Sequence, residues 1–414
     1  MTGQVAEVGE VGDVAAAGAA PHRVVVDLVY IEAGGGHRAS ALALQAAIER
    51  AGLPWTVRRV NLREMLDPRD AFRSVTGMDP EDLYNQRLAR GWTAGLAQEL
   101  KLLQGLIRWG HAPLVRRLQR VWLRREPDLV VSLIPNFNRA LCLALGASLP
   151  GVPFVTVLTD VADYPPHFWI EPGLPQHVVC GSPQALAQAR AAGHSARYIH
   201  ASSGMLLRAG FHDLPPLAPA ERAARRARLG LDAHTPTGLV LFGGEGSRVM
   251  RDIARALPDT PLILACGRNE RLAQALRATQ ADASAARVVC GFTPDIAALM
   301  QLADFFIGKP GPGSISEAVQ MGLPVIVSRN RLTLPQERYN AQWVREQGVG
   351  LVIRSFRQID GAVGEMLRRL PALQAATARV RNRAIDEVPR ALAGILAGAA
   401  QLPPGWQPTD ALSA

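Results

Sequence analysis

Residues 24–31 read Val-Val-Val-Asp-Leu-Val-Tyr-Ile, residues 34–36 are three glycines, and residues 39–50 read Ala-Ser-Ala-Leu-Ala-Leu-Gln-Ala-Ala-Ile-Glu-Arg. A run rich in β-branched residues predicts a strand. Consecutive glycines allow a tight turn, and the Ala- and Leu-rich segment after them predicts a helix. The sequence therefore opens a strand, turn and helix unit of the kind that builds parallel sheets.

The same order of strand, turn and helix recurs along the chain. In the first half, further short apolar strands are predicted at 128–133, 153–158 and 177–180. In the second half, five more are predicted at 238–242, 261–266, 287–290, 305–307 and 324–327. Strands that alternate with helices indicate two doubly wound parallel sheets, and such sheets bind ligands beyond the carboxyl ends of their strands. We expect an α/β protein with two Rossmann-like domains and a site in the cleft between them.

The length of 414 residues suits two domains better than one. We place an N-terminal Rossmann-like domain at 23–214 and a second one at 229–385. A proline-rich and then charged segment, 215–228, is predicted as an exposed linker. Residues 386–414 are predicted as a C-terminal helix and tail that return to the first domain. Residues 1–22 contain no Lys or Arg, lack the positive start of a signal peptide and are predicted as a disordered leader.

Composition is that of a globular protein, with 48% hydrophobic and 20% charged residues. The net charge of +9 favours anionic partners, which include phosphates, nucleic acid and lipid headgroups. No apolar run is long enough to cross a bilayer. The four cysteines are far apart and have no metal-ligand spacing, so we expect reduced thiols in a cytosol and no metal site.

A second glycine turn, Gly243-Gly244-Glu245-Gly246-Ser247, follows a predicted strand and opens a helix. Free backbone N–H groups and the positive end of a helix favour a phosphate there, and glycines permit its close approach. We predict a diphosphate cradle, with an ordinary tight turn as the alternative. Neither the Walker motif nor a GxGxxG motif is present.

A third turn, residues 308–313, leads into Ser314-Ile315-Ser316-Glu317. A carboxylate in that helix can accept hydrogen bonds from both ribose hydroxyls of a nucleotide. The alternative is structural, because Ser314 and Glu317 have the spacing of a capping box.

His37 follows the first glycine turn, at the mouth of the first sheet. An imidazole titrates near neutral pH and can accept a proton from an alcohol. A single histidine is more often a surface or capping residue, but the glycines before it allow a ligand to approach closely. We therefore treat His37 as a candidate general base.

Four motifs together resemble the monogalactosyldiacylglycerol synthase family: Gly-Gly-Gly-His-Arg-Ala-Ser-Ala at 34–41, Gly-Gly-Glu-Gly at 243–246, Cys-Gly-Arg-Asn at 266–269 and Gly-Pro-Gly-Ser-Ile-Ser-Glu-Ala at 311–318. The likeness covers residues 24–50, 126–211 and 238–340. The resemblance implies the two-domain GT-B fold, shared with the peptidoglycan N-acetylglucosaminyltransferase. It also implies inverting transfer of galactose or glucose from a UDP-sugar to diacylglycerol, without an obligatory metal because no Asp-x-Asp motif is present.

By this resemblance His37 is the catalytic base, and Asp160, in Val-Leu-Thr-Asp at 157–160, orients or supports it. The resemblance also assigns the donor site. The residues it places there are Gly243, Gly244, Glu245, Gly246 and Ser247 at the diphosphate, Phe292 by the base, Glu317 at the ribose, and Gln336, Glu337 and Asn340 at the sugar hydroxyls. Further residues assigned to donor binding are Gly36, Arg268, Asn269, Thr293, Gly311, Gly313 and Ser314.

Residues 101–125 carry seven basic and no acidic residues, interleaved with Leu, Val, Ile and Trp. This pattern favours an interfacial helix pair on an anionic lipid surface. The predicted membrane contacts are Arg108, Trp109, Arg116, Arg117, Arg120 and Trp122. The alternative is a pair of amphipathic helices whose apolar faces pack on the core. Nucleic acid is disfavoured, since no recognition module accompanies the charge.

We therefore expect a peripheral enzyme on the cytoplasmic face of the cell membrane, with a UDP-sugar and diacylglycerol as partners. Three alternatives remain open from the sequence. One is a transferase of this fold that uses another lipid-linked or small acceptor, such as a polyprenyl-diphosphate sugar. Another is a UDP-sugar 2-epimerase, and the third is a non-catalytic nucleotide-sugar sensor.

Overall fold

The computed structural model describes residues 23–32, 36–67, 104–105, 107, 109–331 and 333–399. Within these ranges the chain forms two sheets of six parallel strands each. The predicted leader at 1–22, the end of the tail and Arg108 lie outside the described residues.

The first sheet has the strand order β2-β1-β3-β4-β5-β6. Its strands are β1 (Val25–Tyr30), β2 (Thr56–Asn61), β3 (Leu129–Ser132), β4 (Phe154–Val157), β5 (Gln176–Cys180) and β6 (Ile199–Ala201). The associated helices are α1 (Gly36–Arg50), α2 (Leu62–Leu66), α3 (His111–Arg125), α4 (Asn138–Ser148) and α5 (Pro183–Ala191). The next helix in the chain, α6 (Gly210–Asp213), places its buried Phe211 in the core of the second sheet. Strands β3 and β4 are buried at every position, as expected of central strands covered by helices on both faces.

The second sheet has the order β12-β11-β10-β7-β8-β9. Its strands are β7 (Gly238–Leu241), β8 (Leu262–Ala265), β9 (Arg287–Cys290), β10 (Phe305–Gly308), β11 (Val325–Ser328) and β12 (Gly350–Ile353). Its helices are α7 (Pro219–Arg228), α8 (Val249–Ala256), α9 (Glu270–Ala278), α10 (Ile296–Met300), α11 (Pro312–Gln320), α12 (Arg338–Gln347) and α13 (Ile359–Thr377).

Each sheet has one place where the direction of strand addition reverses. In the first sheet it lies between β1 and β3, and in the second between β7 and β10. Crossover helices leave opposite faces of the sheet on either side of such a point, which opens a crevice at the carboxyl ends of the two strands. Helix α1, which begins at Gly36, is the next described element after β1, and the turns at residues 243–246 and 308–311 follow β7 and β10. The fold thus brings the start of α1 to the first switch point and these two glycine turns to the second.

The last described helix, α14 (Ala384–Ala399), packs on the first sheet rather than on the second. Val388 and Leu392 are fully buried in the cluster that contains Leu44 of α1. Burial of each such side chain contributes about 1.5–3 kcal/mol. The chain therefore crosses between the two sheets a second time, at residues 378–383.

The segment 215–228, predicted as an exposed linker, contains helix α7. Arg226 of this helix is 1% exposed. Its guanidinium donates to Asp304 Oδ2 at 2.9 Å and to Thr237 Oγ1 at 2.6 Å. The expectation of an exposed segment is therefore wrong for Arg226, because a buried ion pair and hydrogen bonds fix α7 to the second sheet.

Candidate active site

His37 lies in the first turn of α1, at the switch point of the first sheet. Its Nδ1 is 2.8 Å from the carbonyl oxygen of Leu133, which directly follows β3, and 3.3 Å from Thr159 Oγ1. A carbonyl oxygen only accepts hydrogen bonds, so we assign the ring proton to Nδ1. Nε2 then carries the free lone pair, and the ring is oriented as a base.

Burial lowers the pKa of His37 to about 4, and the hydrogen bond to the Leu133 carbonyl offsets part of that effect. The imidazole is therefore neutral at physiological pH. A neutral imidazole with a free Nε2 can accept a proton, and the Leu133 carbonyl stabilises the imidazolium that results.

Asp160 lies close by but reaches His37 through a third residue. The indole Nε1 of Trp169 donates to Asp160 Oδ2 at 2.9 Å, and the Trp169 and His37 rings lie 6.0 Å apart between centroids. Burial raises the pKa of Asp160 to about 7, against the hydrogen bond from Trp169. Leu133 and Thr159 make the direct contacts to the imidazole, so a role of Asp160 in orienting His37 stays a prediction.

At the second switch point, the loop 243–247 packs tightly on the turn after β8. Gly243 and Gly246 have φ values of +77° and +60°. A Cβ on Gly267 would lie 2.0 Å from the Gly244 carbonyl oxygen. Arg268 N donates to that same oxygen at 2.7 Å. Glycine is required at these positions by backbone conformation and by close packing.

Polar side chains complete this loop. Asn269 Nδ2 donates to the Glu245 carbonyl at 3.3 Å, and Arg268 pairs with the Glu245 carboxylate at 3.4 Å. Ser247 Oγ accepts a hydrogen bond from Val249 N, at the start of α8. The backbone of the loop is thus held in one conformation before a ligand binds, which suits a phosphate cradle.

Glu317 lies in the second turn of α11, and Gly311 is the N-cap of that helix. Because the helix begins at Pro312, Ser314 is an interior residue, and the capping-box alternative for Ser314 and Glu317 is wrong. Burial raises the pKa of Glu317 to about 7, while the positive charge of Arg208 lowers it. Within the described residues the Glu317 carboxylate makes no hydrogen bond. A desolvated carboxylate of this kind is suited to accept hydrogen bonds from ribose hydroxyls.

Phe292 and Thr293 follow β9 at the same edge of the sheet. The Phe292 ring is 57% exposed, and the guanidinium of Arg268 lies 4.6 Å from its centroid. Thr293 Oγ1 accepts a hydrogen bond from Asp295 N and shapes the entry to α10. The free face of Phe292 offers a surface on which a planar base can stack.

Three further predicted residues lie at the start of α12. Glu337 is 8% exposed, and its Oε1 accepts from Lys309 Nζ at 3.0 Å. Asn340 Nδ2 donates to the Pro310 carbonyl at 2.9 Å. Asn340 Oδ1 and Gln336 Oε1 are buried without a partner among the described residues. Unsatisfied buried acceptors are costly, and hydroxyl groups of a sugar would satisfy them.

The two sheets meet at this end of the cleft. The charges of Glu337 and Lys309 both act on the pKa of Asp160. The rings of Tyr164 and Tyr339 lie 5.8 Å apart between centroids. The side chains around His37 therefore face the residues that we predict at the sugar.

Among the described residues of the basic segment, His111–Arg125 form α3, and Gln104, Gly105, Ile107 and Trp109 are also helical. The interfacial helix pair stays a prediction. Trp122 is fully buried, together with Leu118, so its assignment as a membrane contact is wrong. Trp122 lies on the apolar face of α3, which packs on the first sheet. The remaining described members of the predicted set are exposed: Trp109 at 90% of its surface, Arg116, Arg117 and Arg120.

No helix that the structure describes combines the length and the apolar character needed to cross a bilayer. In the described ranges, no three His, Cys, Asp or Glu side chains are grouped as a metal site requires.

Comparison with known proteins bears on the fold and on the family that the chain resembles. Residues 239–379 match the profile of the glycosyltransferase family 28 C-terminal domain. Chloroplastic monogalactosyldiacylglycerol synthase of Spinacia oleracea is 29% identical over 375 residues, which cover 83% of this chain and 66% of that protein. Monogalactosyldiacylglycerol synthase 1 of Arabidopsis thaliana is 27% identical over 372 residues, which cover 83% of this chain and 64% of that protein. The chain thus spans slightly less than two thirds of the length of these relatives.

Solved structures show the same fold at low sequence identity. MurG of Acinetobacter baumannii superposes with a TM-score of 0.55 at 14% identity, over 90% of this chain and 100% of that one. A putative UDP-N-acetylglucosamine 2-epimerase from Listeria monocytogenes superposes with a TM-score of 0.54 at 14% identity, over 93% of this chain and 100% of that one. The resemblance seen in the sequence is thereby confirmed: the chain has the GT-B fold, its second half carries a glycosyltransferase family 28 C-terminal domain, and over most of its length it is similar to the monogalactosyldiacylglycerol synthases.

Proposed function

We propose that this protein transfers galactose or glucose from a UDP-sugar to the hydroxyl of diacylglycerol, with inversion at the anomeric carbon. The observation that carries the proposal is the arrangement of His37. Its Nδ1 is hydrogen-bonded to the Leu133 carbonyl, so Nε2 of the neutral ring is the nitrogen that can accept a proton. The similarity to monogalactosyldiacylglycerol synthases supplies the substrate class.

In the proposed reaction, the acceptor hydroxyl attacks the anomeric carbon from the face opposite the diphosphate. Nε2 of His37 takes the hydroxyl proton as the new C–O bond forms. General-base catalysis of this kind contributes about 10²–10⁴ in rate. A pKa of about 4 makes the isolated imidazole a weak base. The negative diphosphate of a bound donor would raise that pKa towards the working range.

The leaving UDP gains negative charge as the bond to the sugar breaks. The backbone N–H groups of residues 244–247 and the N-terminus of α8 are already fixed at the second switch point, so they can stabilise this charge without rearrangement. Glu317 would accept the ribose hydroxyls, and Phe292 would stack on the uracil. Gln336, Glu337 and Asn340 would bind the sugar hydroxyls, and the buried acceptors of Gln336 and Asn340 support that role.

The protein would act peripherally, on the cytoplasmic face of a membrane. The exposed face of α3 carries Arg116, Arg117 and Arg120, and Trp109 is exposed just before the helix. Each arginine near an anionic surface contributes about 1 kcal/mol to binding. The buried position of Trp122 leaves this interaction mainly electrostatic.

A UDP-sugar 2-epimerase is the second candidate, because a putative enzyme of that class has the same fold. An epimerase needs no acceptor, whereas the role proposed for His37 is to deprotonate one. Transfer to another lipid-linked acceptor would use the same donor site. Only the acceptor contacts, which belong to the first domain, would differ.

The test is incubation of the purified chain with radiolabelled UDP-galactose or UDP-glucose, with and without diacylglycerol in anionic vesicles. We expect label in the organic phase only when diacylglycerol is present, and from one donor in preference to the other. A changed sugar in the absence of lipid would support the epimerase. No glycolipid despite measured UDP binding would overturn the proposal that diacylglycerol is the acceptor.

Reversal of Arg116, Arg117 and Arg120 to Glu should release the protein from the vesicles, and retained binding would overturn the role of α3.

A further inference from the structure

One pair of aromatic rings joins the two domains at the sugar end of the cleft. Tyr164 lies four residues after Asp160, in the loop that follows β4. Tyr339 lies in the first turn of α12, between Glu337 and Asn340 in sequence. Their ring centroids are 5.8 Å apart with an interplanar angle of 32°.

Each ring is fixed within its own domain. Gln184 Nε2 of α5 donates to the Tyr164 hydroxyl at 3.2 Å. The Tyr339 hydroxyl donates to Glu346 Oε2 at 2.9 Å, about two helical turns further along α12. Both side chains are half-buried. The contact therefore joins two rings whose positions are set independently by their own domains.

The loop that carries Tyr164 is itself rigid. The Asp163 carboxylate accepts hydrogen bonds from Trp169 N at 2.7 Å and from His167 N at 3.0 Å. The same loop positions Asp160, and through Trp169 it contacts the ring of His37. The Tyr164 side of the contact thus belongs to the framework that holds the candidate base.

We propose that Tyr164 and Tyr339 form an aromatic clasp that closes the sugar end of the cleft and keeps water away from the anomeric carbon. The clasp is a positioning device that determines whether the sugar goes to the acceptor or to water. It rests on the proposed function and extends it, because water competes with the lipid hydroxyl for the same carbon. Exclusion of water from a closed site prevents this side reaction.

The side reaction is hydrolysis of the donor, and it needs no reagent other than water. The water oxygen forms a bond to the anomeric carbon, the bond from that carbon to the diphosphate oxygen breaks, and UDP leaves with the electron pair. The proton of water passes to His37 Nε2 or to bulk solvent. The products are free hexose and UDP, which differ from the glycolipid and UDP of transfer.

The experiment measures free hexose and glycolipid formed by the full chain from the radiolabelled donor and diacylglycerol vesicles. In Tyr339→Ala we expect the ratio of free hexose to glycolipid to rise at least fivefold, and in Tyr164→Ala by a similar factor. In the double variant the ratio of free hexose to glycolipid should rise no further, since either change opens the clasp. Tyr339→Phe keeps the ring and loses only the bond to Glu346, so its ratio should lie far closer to that of the wild type than the ratio of Tyr339→Ala does. Tyr198→Ala, which removes a ring packed on His177 away from the cleft, should also leave the ratio unchanged.

An unchanged ratio in a folded Tyr339→Ala or Tyr164→Ala protein that still binds UDP would overturn the clasp, and so would additive effects in the double variant. If the wild type makes no glycolipid, the proposed acceptor fails, and the clasp is judged by donor hydrolysis alone. Hydrolysis without acceptor should then be at least fivefold faster in Tyr339→Ala than in the wild type. Equal rates would refute the clasp independently.

Discussion

The two sheets use their switch points in different ways. At the point between β1 and β3, a histidine side chain is oriented by the carbonyl of Leu133. At the point between β7 and β10, the candidate groups belong to the backbone of the loop 243–247, in which Gly243 and Gly246 have positive φ. The same supersecondary unit thus presents a proton acceptor in one domain and hydrogen-bond donors in the other.

This difference separates two kinds of chemistry. A side chain can be removed without disturbing the turn that carries it. A substitution at the first switch point should therefore lower the turnover rate and leave the affinity for UDP unchanged. Backbone donors have no side chain to remove, so they can be disturbed only through the geometry of the loop. A substitution at the second point should therefore change binding first.

The largest effect is expected for His37→Ala. Loss of the base should lower turnover about 10²–10⁴-fold, because no side chain then takes the proton from the lipid hydroxyl. Affinity for UDP, measured by calorimetry, should stay within a factor of two, because His37 belongs to the first sheet.

A His37→Ala enzyme with unchanged turnover would remove His37 from the mechanism. Turnover and UDP affinity that fell together by the same factor would contradict the division between the two switch points.

The sequence predicted most of the fold, and two of the three strands that it missed carry a weak apolar signal. The strands β2, β6 and β12 were not predicted, and all three lie at sheet edges. β2 reads Thr-Val-Arg-Arg-Val-Asn and β6 has three residues, whereas β12 was missed although it reads Gly-Leu-Val-Ile. The central strands are continuously buried and have a strong apolar signal.

The site was predicted unevenly for similar reasons. His37 was found because glycines precede it, but its partner is the carbonyl of Leu133, and a backbone atom has no sequence signature. Trp169 lies nine residues from Asp160 and gave no signal. Trp122 was misassigned although Val115, Leu118 and Trp122 share one face of a helix at spacings of three and four, the pattern of a buried stripe.

A smaller effect is expected for Gly267→Ala, in the turn after β8 that packs on the loop 243–247. The new Cβ would lie 2.0 Å from the Gly244 carbonyl oxygen, and the backbone of residue 267 has a φ of +61°. The loop 243–247 must then move, so affinity for UDP should fall about tenfold or more, equivalent to about 1.4 kcal/mol.

The matched control is Gly230→Ala, which also has a positive φ of +74° but has no atom within 4 Å of the added Cβ. This variant should lose stability in thermal unfolding, because of backbone strain, and keep its UDP affinity. Equal losses of affinity in Gly230→Ala and Gly267→Ala would show that strain, rather than displacement of the loop, is responsible.

The smallest effect, and the most specific, is expected for Glu317→Gln. Burial raises the pKa of Glu317 from 4.5 to about 7, so the folded state loses stability as the pH rises through this window. The amide removes that penalty: the midpoint of thermal unfolding should be higher than that of the wild type at pH 8, and the difference should nearly vanish at pH 4.5.

Affinity of the Glu317→Gln protein for UDP should meanwhile fall several-fold, because a neutral amide is a weaker acceptor of the ribose hydroxyls. Calorimetry with UDP and with 2′-deoxy-UDP separates the two contributions, since only the wild type should distinguish the two ligands strongly. Equal discrimination in both proteins would place the ribose elsewhere, and a pH-independent difference in unfolding would show that the Glu317 carboxylate is already solvated in the free protein.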